Sequence, residues 1–151
     1  PSPSIPQGGK SVHKGSIAIC TDGSDGKKVP DANWQPYTAL SKWTDTTVTT
    51  LDAYTMPYVV MPVSTGARQG ASLGDKALVI NWDTGQSVWC IVGEIGPAWG
   101  EVSINVIWTI DNTNNMTANH ASGLSSNYEI ILYPGSSFGY DWSYGYRKVN
   151  R

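Results

Sequence analysis

Glutamate is scarce in this chain of 151 residues: only Glu94, Glu101 and Glu129 occur. Two of them bracket one short stretch, Gly93-Glu94-Ile95-Gly96-Pro97-Ala98-Trp99-Gly100-Glu101-Val102-Ser103, among glycines and apolar residues with no basic neighbour in sequence. Two carboxyls on either side of a tight loop suit the hydrolysis of a bond by paired acid and base. One group protonates a leaving oxygen and the other activates water. The plainer reading is that both are solvated loop positions at strand ends, and spacing alone does not separate the two. Trp99 lies between the pair, where a substrate would pass, and an indole face there suits contact with a sugar ring.

The elements that must position these carboxyls are strands. Lys76–Trp82, the turn Asp83-Thr84-Gly85 and Gln86–Gly93 read as a hairpin with a three-residue loop containing glycine, and it feeds directly into Glu94. Gly15–Cys20, Met56–Pro62 and Asn127–Tyr133 are further strands, and Thr46–Thr50 is strongly β-prone. The prolines around Met56–Pro62 place it at a sheet edge or sit at its ends. The run after Glu101, Val102 to Ile110, is open between strand and helix. Thr21–Gly26 is a turn cluster that lacks the alternate oxygen ligands and closing Glu of a calcium loop. The tail alternates Phe138, Tyr140, Trp142, Tyr144 and Tyr146, giving a terminal strand one aromatic face. Asn115-Met116-Thr117 has the pattern of a glycosylation acceptor.

Composition points the same way. Charged residues are 15% of the chain, against about a quarter in ordinary globular domains, with 16 Gly, 7 Trp and 8 Tyr. This is the composition of a secreted β protein. The formal net charge of -2 and scattered Lys and Arg argue against nucleic acid or an anionic membrane as partner. No apolar run approaches the roughly 20 residues needed to cross a bilayer. The expected organisation is an extended leader over residues 1–14 and a single domain over 15–151, acting as a monomer. Cys20 and Cys90 could be joined, at about 4 kcal/mol in a chain-entropy account, or could both serve as small buried hydrophobes.

Other constellations fail. Gly70-Ala71-Ser72-Leu73-Gly74 has the letters of a nucleophile elbow without the strand before it or the helix after it. Two histidines, His13 and His120, and two distant cysteines make no standard zinc site, and no phosphate-cradling glycine loop occurs. Neither metal nor cofactor is expected.

A succession of blocks resembles the family 75 glycoside hydrolases, the chitosanase family, and its bacterial relatives. The blocks are Pro57–Pro62, Leu73–Val79, Gly85-Gln86-Ser87, Ile91–Pro97, Gly100-Glu101-Val102-Ser103 and Ile131–Ser136, in that order. The resemblance implies endo-acting, inverting cleavage of a β-1,4-linked amino-sugar polymer, chitosan. It implies an all-β, mainly antiparallel, compact six-stranded β-barrel, of which the double-psi type is one form, with a short helix over Ser103–Ile110. Mapped onto this chain, the catalytic pair is Glu94 and Glu101, with Glu101 as general acid and Glu94 as general base, or the reverse. Trp99, Ser103, Tyr58 and Asp25 complete the set as substrate-binding candidates, and the acidic loops carrying Asp22, Asp25, Asp31 and Asp52 suit a cationic polymer. Two departures stand out: Glu94 occupies a position where the family has Asp, and the loop between the acids is short. Peptidoglycan strands are the alternative substrate, and a sugar-binding module without turnover is the alternative class.

Overall fold

The computed structural model describes residues 4–24, 34–44, 47–111 and 124–136. Asp25, Asp31, His120, the Asn115 acceptor and the aromatic tail from Phe138 lie outside them. In chain order the elements are β1 (Lys10–Gly15), β2 (Ala18–Cys20), β3 (Ser41–Thr44), β4 (Thr47–Thr50), β5 (Tyr58–Pro62), β6 (Lys76–Asn81), β7 (Gln86–Gly96), β8 (Glu101–Ser103), α1 (Ile104–Ile110) and β9 (Tyr128–Tyr133). Strands dominate, with one short helix among the described residues. No helix there is long and apolar enough to cross a membrane.

Seven strands form one sheet in the order β1-β9-β6-β7-β5-β8-β2, and β3 pairs with β4 in a separate hairpin. This corrects the expected barrel. The two edge strands, β1 and β2, do not meet, so the sheet is an open half-barrel of seven strands and neither a closed six-stranded barrel nor its double-psi form. It is also mixed. β5 runs parallel to β7, and β2 runs parallel to β8. All five residues of β5 are buried, as befits a strand covered on both faces. Its prolines are tolerated because Pro62 ends the strand and Pro57 precedes it.

The β6–β7 hairpin is where sequence placed it, although the connection is Trp82–Gly85, with Asn81 paired to Gln86. The expected leader over 1–14 is corrected at its end: Lys10–Gly15 is a sheet strand paired with β9. Its residues are mostly exposed or half-buried, which is why an apolar pattern did not reveal it.

The sheet has apolar packing on both faces. One face carries Val59, Ala77, Val79, Cys90, Val92, Ile130 and Leu132, packed with Val106, Ile107 and Ile110 of α1. The other carries Tyr58, Val60 and Ile91, covered by Leu40, Leu51 and Ala53, and beside them a smaller group of Leu78, Ile80, Ile131 and Tyr133. Cys20 belongs to the second face and Cys90 to the first, and both are free thiols. The helix follows β8 directly, and Asn81 Nδ2 donates to Ile110 O at 2.9 Å, tying its last turn to the β6–β7 hairpin.

Candidate active site

Glu94 is delivered by an irregularity in β7. Val59 pairs with Val92 and Val60 with Glu94, so Gly93 is the extra residue of a bulge. As a result Gly93 and Glu94 both turn toward the second face. A Cβ at Gly93 would stand 2.6 Å from Leu51 Cδ1 and 3.1 Å from Tyr58 Cβ. Glu94 is 7% exposed, and its Oε1 accepts hydrogen bonds from Ala39 N at 3.0 Å and Ile95 N at 2.9 Å. The covering segment is fixed to the same strand by Leu40 N, which donates to Gly93 O at 3.1 Å.

The remaining partner of this carboxyl is one that the sequence marks as a turn residue in an acidic loop, with no sign of a glutamate beside it. Asp22, just after β2, has a side chain in hydrogen-bond contact with Glu94. Asp22 is itself held on two sides. Its Oδ1 accepts from Gln35 N at 2.8 Å, and its carbonyl accepts from the Tyr58 hydroxyl at 2.9 Å. Burial, then the hydrogen bond and charge of Asp22, push Glu94 up from 4.5 to about 7, against the opposing pull of the Ile95 and Ala39 amides. Burial and the neighbouring carboxyl both disfavour the charged form of Glu94, so it keeps its proton to near neutrality. The local signal for Asp22 was the Thr21-Asp22-Gly23 turn; nothing in it announced a partner in β7.

Glu101 opens β8 and pairs with Ala18 of β2. Val59 faces Val102 across β5 and β8, which sets Val60 beside Glu101 on one side and opposite Glu94 on the other. The two glutamates therefore flank β5. Two ladder spacings of about 4.8 Å put their backbone positions roughly 10 Å apart. Glu101 Oε1 would lie 3.5 Å from a Cβ at Gly96, and that Cβ would meet Val60 Cγ1 at 2.8 Å. Absence of a side chain at Gly96 thus leaves space beside the Glu101 carboxyl. Burial pushes the Cys20 thiol far up, and the nearby Glu101 charge adds to it.

The substrate-binding candidates fare differently. Ser103 is fully buried, and its hydroxyl donates to Met56 O at 2.8 Å while accepting from Tyr58 N at 3.0 Å. It clasps β8 to the start of β5 and has nothing left to offer a ligand. Tyr58 is also fully buried; its hydroxyl supports Asp22 from beneath. Both are corrected from substrate contacts to supports of the carboxyl pair. Trp99 donates its indole N–H to Ala67 O at 2.8 Å and packs against the first-face cluster, whereas Glu94 faces the second. Asp25 lies outside the described residues. Glu129 stands apart, accepting from Trp82 Nε1 at 3.0 Å. His13 Nε2 is hydrogen-bonded to Ser16 O at 2.7 Å.

Among the described residues, no three His, Cys, Asp or Glu side chains converge to hold a metal ion. What the arrangement can do chemically is hold one proton on the buried Glu94 carboxyl beside the half-buried Asp22 and keep a second glutamate across β5 from it. Compared with known proteins, the chain matches no family model and no curated sequence.

Proposed function

We propose that this chain is an endo-acting glycoside hydrolase that cleaves a β-1,4-linked amino-sugar polymer, chitosan, by an inverting acid/base mechanism. The observation that carries the reading is Glu94: a buried carboxyl that keeps its proton to about pH 7 through burial and contact with Asp22. A carboxyl that stays protonated near neutrality is what a general acid must be. Glu94 is accordingly the acid and Glu101 the base, the reverse of the first assignment from sequence. Glu94 would protonate the leaving glycosidic oxygen while Glu101 takes a proton from the attacking water. The space left beside the Glu101 carboxyl at Gly96 leaves room for the water that an inverting pair, with carboxyls about 6.5–9.5 Å apart, must admit. The carboxyls of Asp22 and Glu101 also suit a cationic substrate. The resemblance of the sequence blocks to chitosanases adds the substrate class.

The experiment is product release from soluble chitosan and from peptidoglycan in parallel, with the anomer of the first product read by NMR. Parent protein, Glu94→Gln and Glu101→Gln are compared. The expected result is release of α-configured chitosan oligomers, with each variant slower by about 10²–10⁴-fold. Release from peptidoglycan alone would move the substrate to cell-wall strands. Release from neither would leave the sugar-binding module, a reading favoured by how little of Glu94 reaches solvent, at 7%; there the Gln variants would bind sugar as the parent does.

A further inference from the structure

A concave surface lies on the same face of the sheet as Glu94. Trp89, Ile91 and Gly93 alternate to that face of β7, with Ile91 and Gly93 packed in the cluster of Tyr58 and Leu51. At about 3.3 Å per residue, Trp89 lies roughly 17 Å along the strand from Glu94. Around it is a cleft of about 440 Å³ lined by Pro6, Gln7, Lys76, Trp89, Tyr133 and Ser136. That volume falls in the usual range of small-molecule sites, about 300–1,000 Å³.

The cleft is built from distant parts of the chain and its walls are pinned. Trp89 leans on Tyr133 with ring centroids 5.3 Å apart and planes tilted by 52°. The Tyr133 hydroxyl donates to Pro6 O at 2.7 Å. The next residues of that N-terminal segment press on the same ring, since a Cβ at Gly9 would meet Tyr133 Cζ at 2.9 Å. On the other side Ser136 Oγ accepts from Lys76 N at 2.9 Å and donates to Tyr133 O. Despite this support Trp89 remains 39% exposed. A large indole left partly bare inside a rigid cleft, with hydroxyl, amide and ammonium groups at its margin, has the form of a ligand site: an apolar platform with a few polar groups that orient what lies on it.

We infer that this cleft is a carbohydrate-binding site, separate from the carboxyl pair, that takes a neutral pyranose ring stacked on Trp89. A pyranose in its chair form offers one apolar face of C–H groups to the indole and directs its hydroxyls outward. Gln7 and Lys76 carry the side-chain groups at the margin that can meet those hydroxyls, while the Ser136 hydroxyl is engaged with Lys76 N and Tyr133 O and holds the wall in place. The positive charge of Lys76 disfavours a second cation, so an N-acetylated sugar is preferred to protonated glucosamine. The inference does not rest on the hydrolase reading, because a sugar can bind here whatever the carboxyls do.

The test is a titration with the soluble trimer of N-acetylglucosamine, and in parallel with the trimer of glucosamine at pH 6, followed by amide and indole N–H shifts in NMR. The Glu101→Gln background prevents any consumption of the probe. The expected result is a saturable shift at the Trp89 indole and at the Gln7 and Ser136 amides with the acetylated trimer. Affinity falls at least tenfold in Trp89→Ala and recovers in part in Trp89→Phe, which keeps a ring against Tyr133 and guards against loss of the cleft itself. Absence of a saturable shift at Trp89, or the same affinity in Trp89→Ala, overturns the site. Equal affinity for the protonated trimer overturns the selection by charge.

Discussion

The side chains of Asp22 and Glu94 hydrogen-bond to each other, joining the turn after β2 to the bulged end of β7. A proton held in that contact links stability to pH. Glu94 titrates near 4.5 when unfolded and near 7 when folded. Between those values the folded chain binds the extra proton, so stability is greatest below about pH 4.5 as far as this group is concerned. It falls as pH rises toward 7 and then levels off. The loss attributable to Glu94 is on the order of 2 kcal/mol, after allowance for the part of the carboxyl that meets solvent.

Glu94→Gln is therefore expected to stabilise the protein at pH 8 while slowing hydrolysis by about 10²–10⁴-fold. Its amide oxygen can still accept from Ala39 N and Ile95 N, and its NH₂ can donate to Asp22 without any charge to bury. Urea unfolding at pH 4.5, 6 and 8 gives the comparison. The parent midpoint should fall relative to that of the variant as pH rises; parallel profiles would show that Glu94 carries no perturbed proton.

Gly23→Ala tests the turn that presents Asp22. Gly23 has φ +86°, and a Cβ there would lie 1.7 Å from Leu51 O, a backbone atom that cannot swing aside. The Gly23 amide also donates to Gln35 O at 2.9 Å. The variant must displace the turn or the Leu51 backbone, with a loss of about 2–4 kcal/mol. Removing Asp22 from Glu94 takes away part of what raises that carboxyl. The pH dependence of stability should accordingly flatten, which an equally destabilising change far from the turn would not produce.

Much of this arrangement was legible in the sequence and some of it was not, for a physical reason. The hairpin from Lys76 to Gly93 and the strand after Asn127 follow from local alternation and turn chemistry, which neighbouring residues encode, whereas the bulge at Gly93 that turns Glu94 to the second face breaks that alternation. Pairing direction is not local. Nothing in Tyr58–Pro62 states that it lies parallel to β7, although its unbroken burial on both faces is the trace such a strand leaves. Lys10–Gly15 escaped because an edge strand with exposed Lys10, Ser11 and Lys14 has little apolar pattern to show. Asp22 escaped as a site residue because a Thr-Asp-Gly turn has the same composition whether or not a glutamate waits across the fold. Ser103 and Tyr58 were found for the wrong reason: their positions near the carboxyls reflect support of β5, not contact with ligand.

Ser103→Ala separates those two roles. The hydroxyl satisfies both Met56 O and Tyr58 N in a fully buried place. Its removal leaves both groups unpaired, at about 1–3 kcal/mol each before any water enters. Thermal unfolding should show a clear loss of stability. At a temperature where the variant is folded, its KM for the polymer should equal that of the parent; a raised KM would return Ser103 to the substrate.

The two cysteines give the last prediction. Cys90 is buried in the face that packs against α1, and Cys20 in the opposite face with Tyr58 and Leu40. The sheet stands between their side chains, so no change of rotamer can join them. Burial pushes both thiols far up from their ordinary value, which leaves almost no thiolate to react. The native protein is expected to resist alkylation at both positions, and both should label completely once the chain is unfolded in denaturant. Reductant should not move the unfolding midpoint, because there is no covalent bond for it to break. A mass short of two hydrogens, or a midpoint lowered by reductant, would require Cys20 and Cys90 to reach each other through the sheet and would overturn the assignment of these side chains to opposite faces.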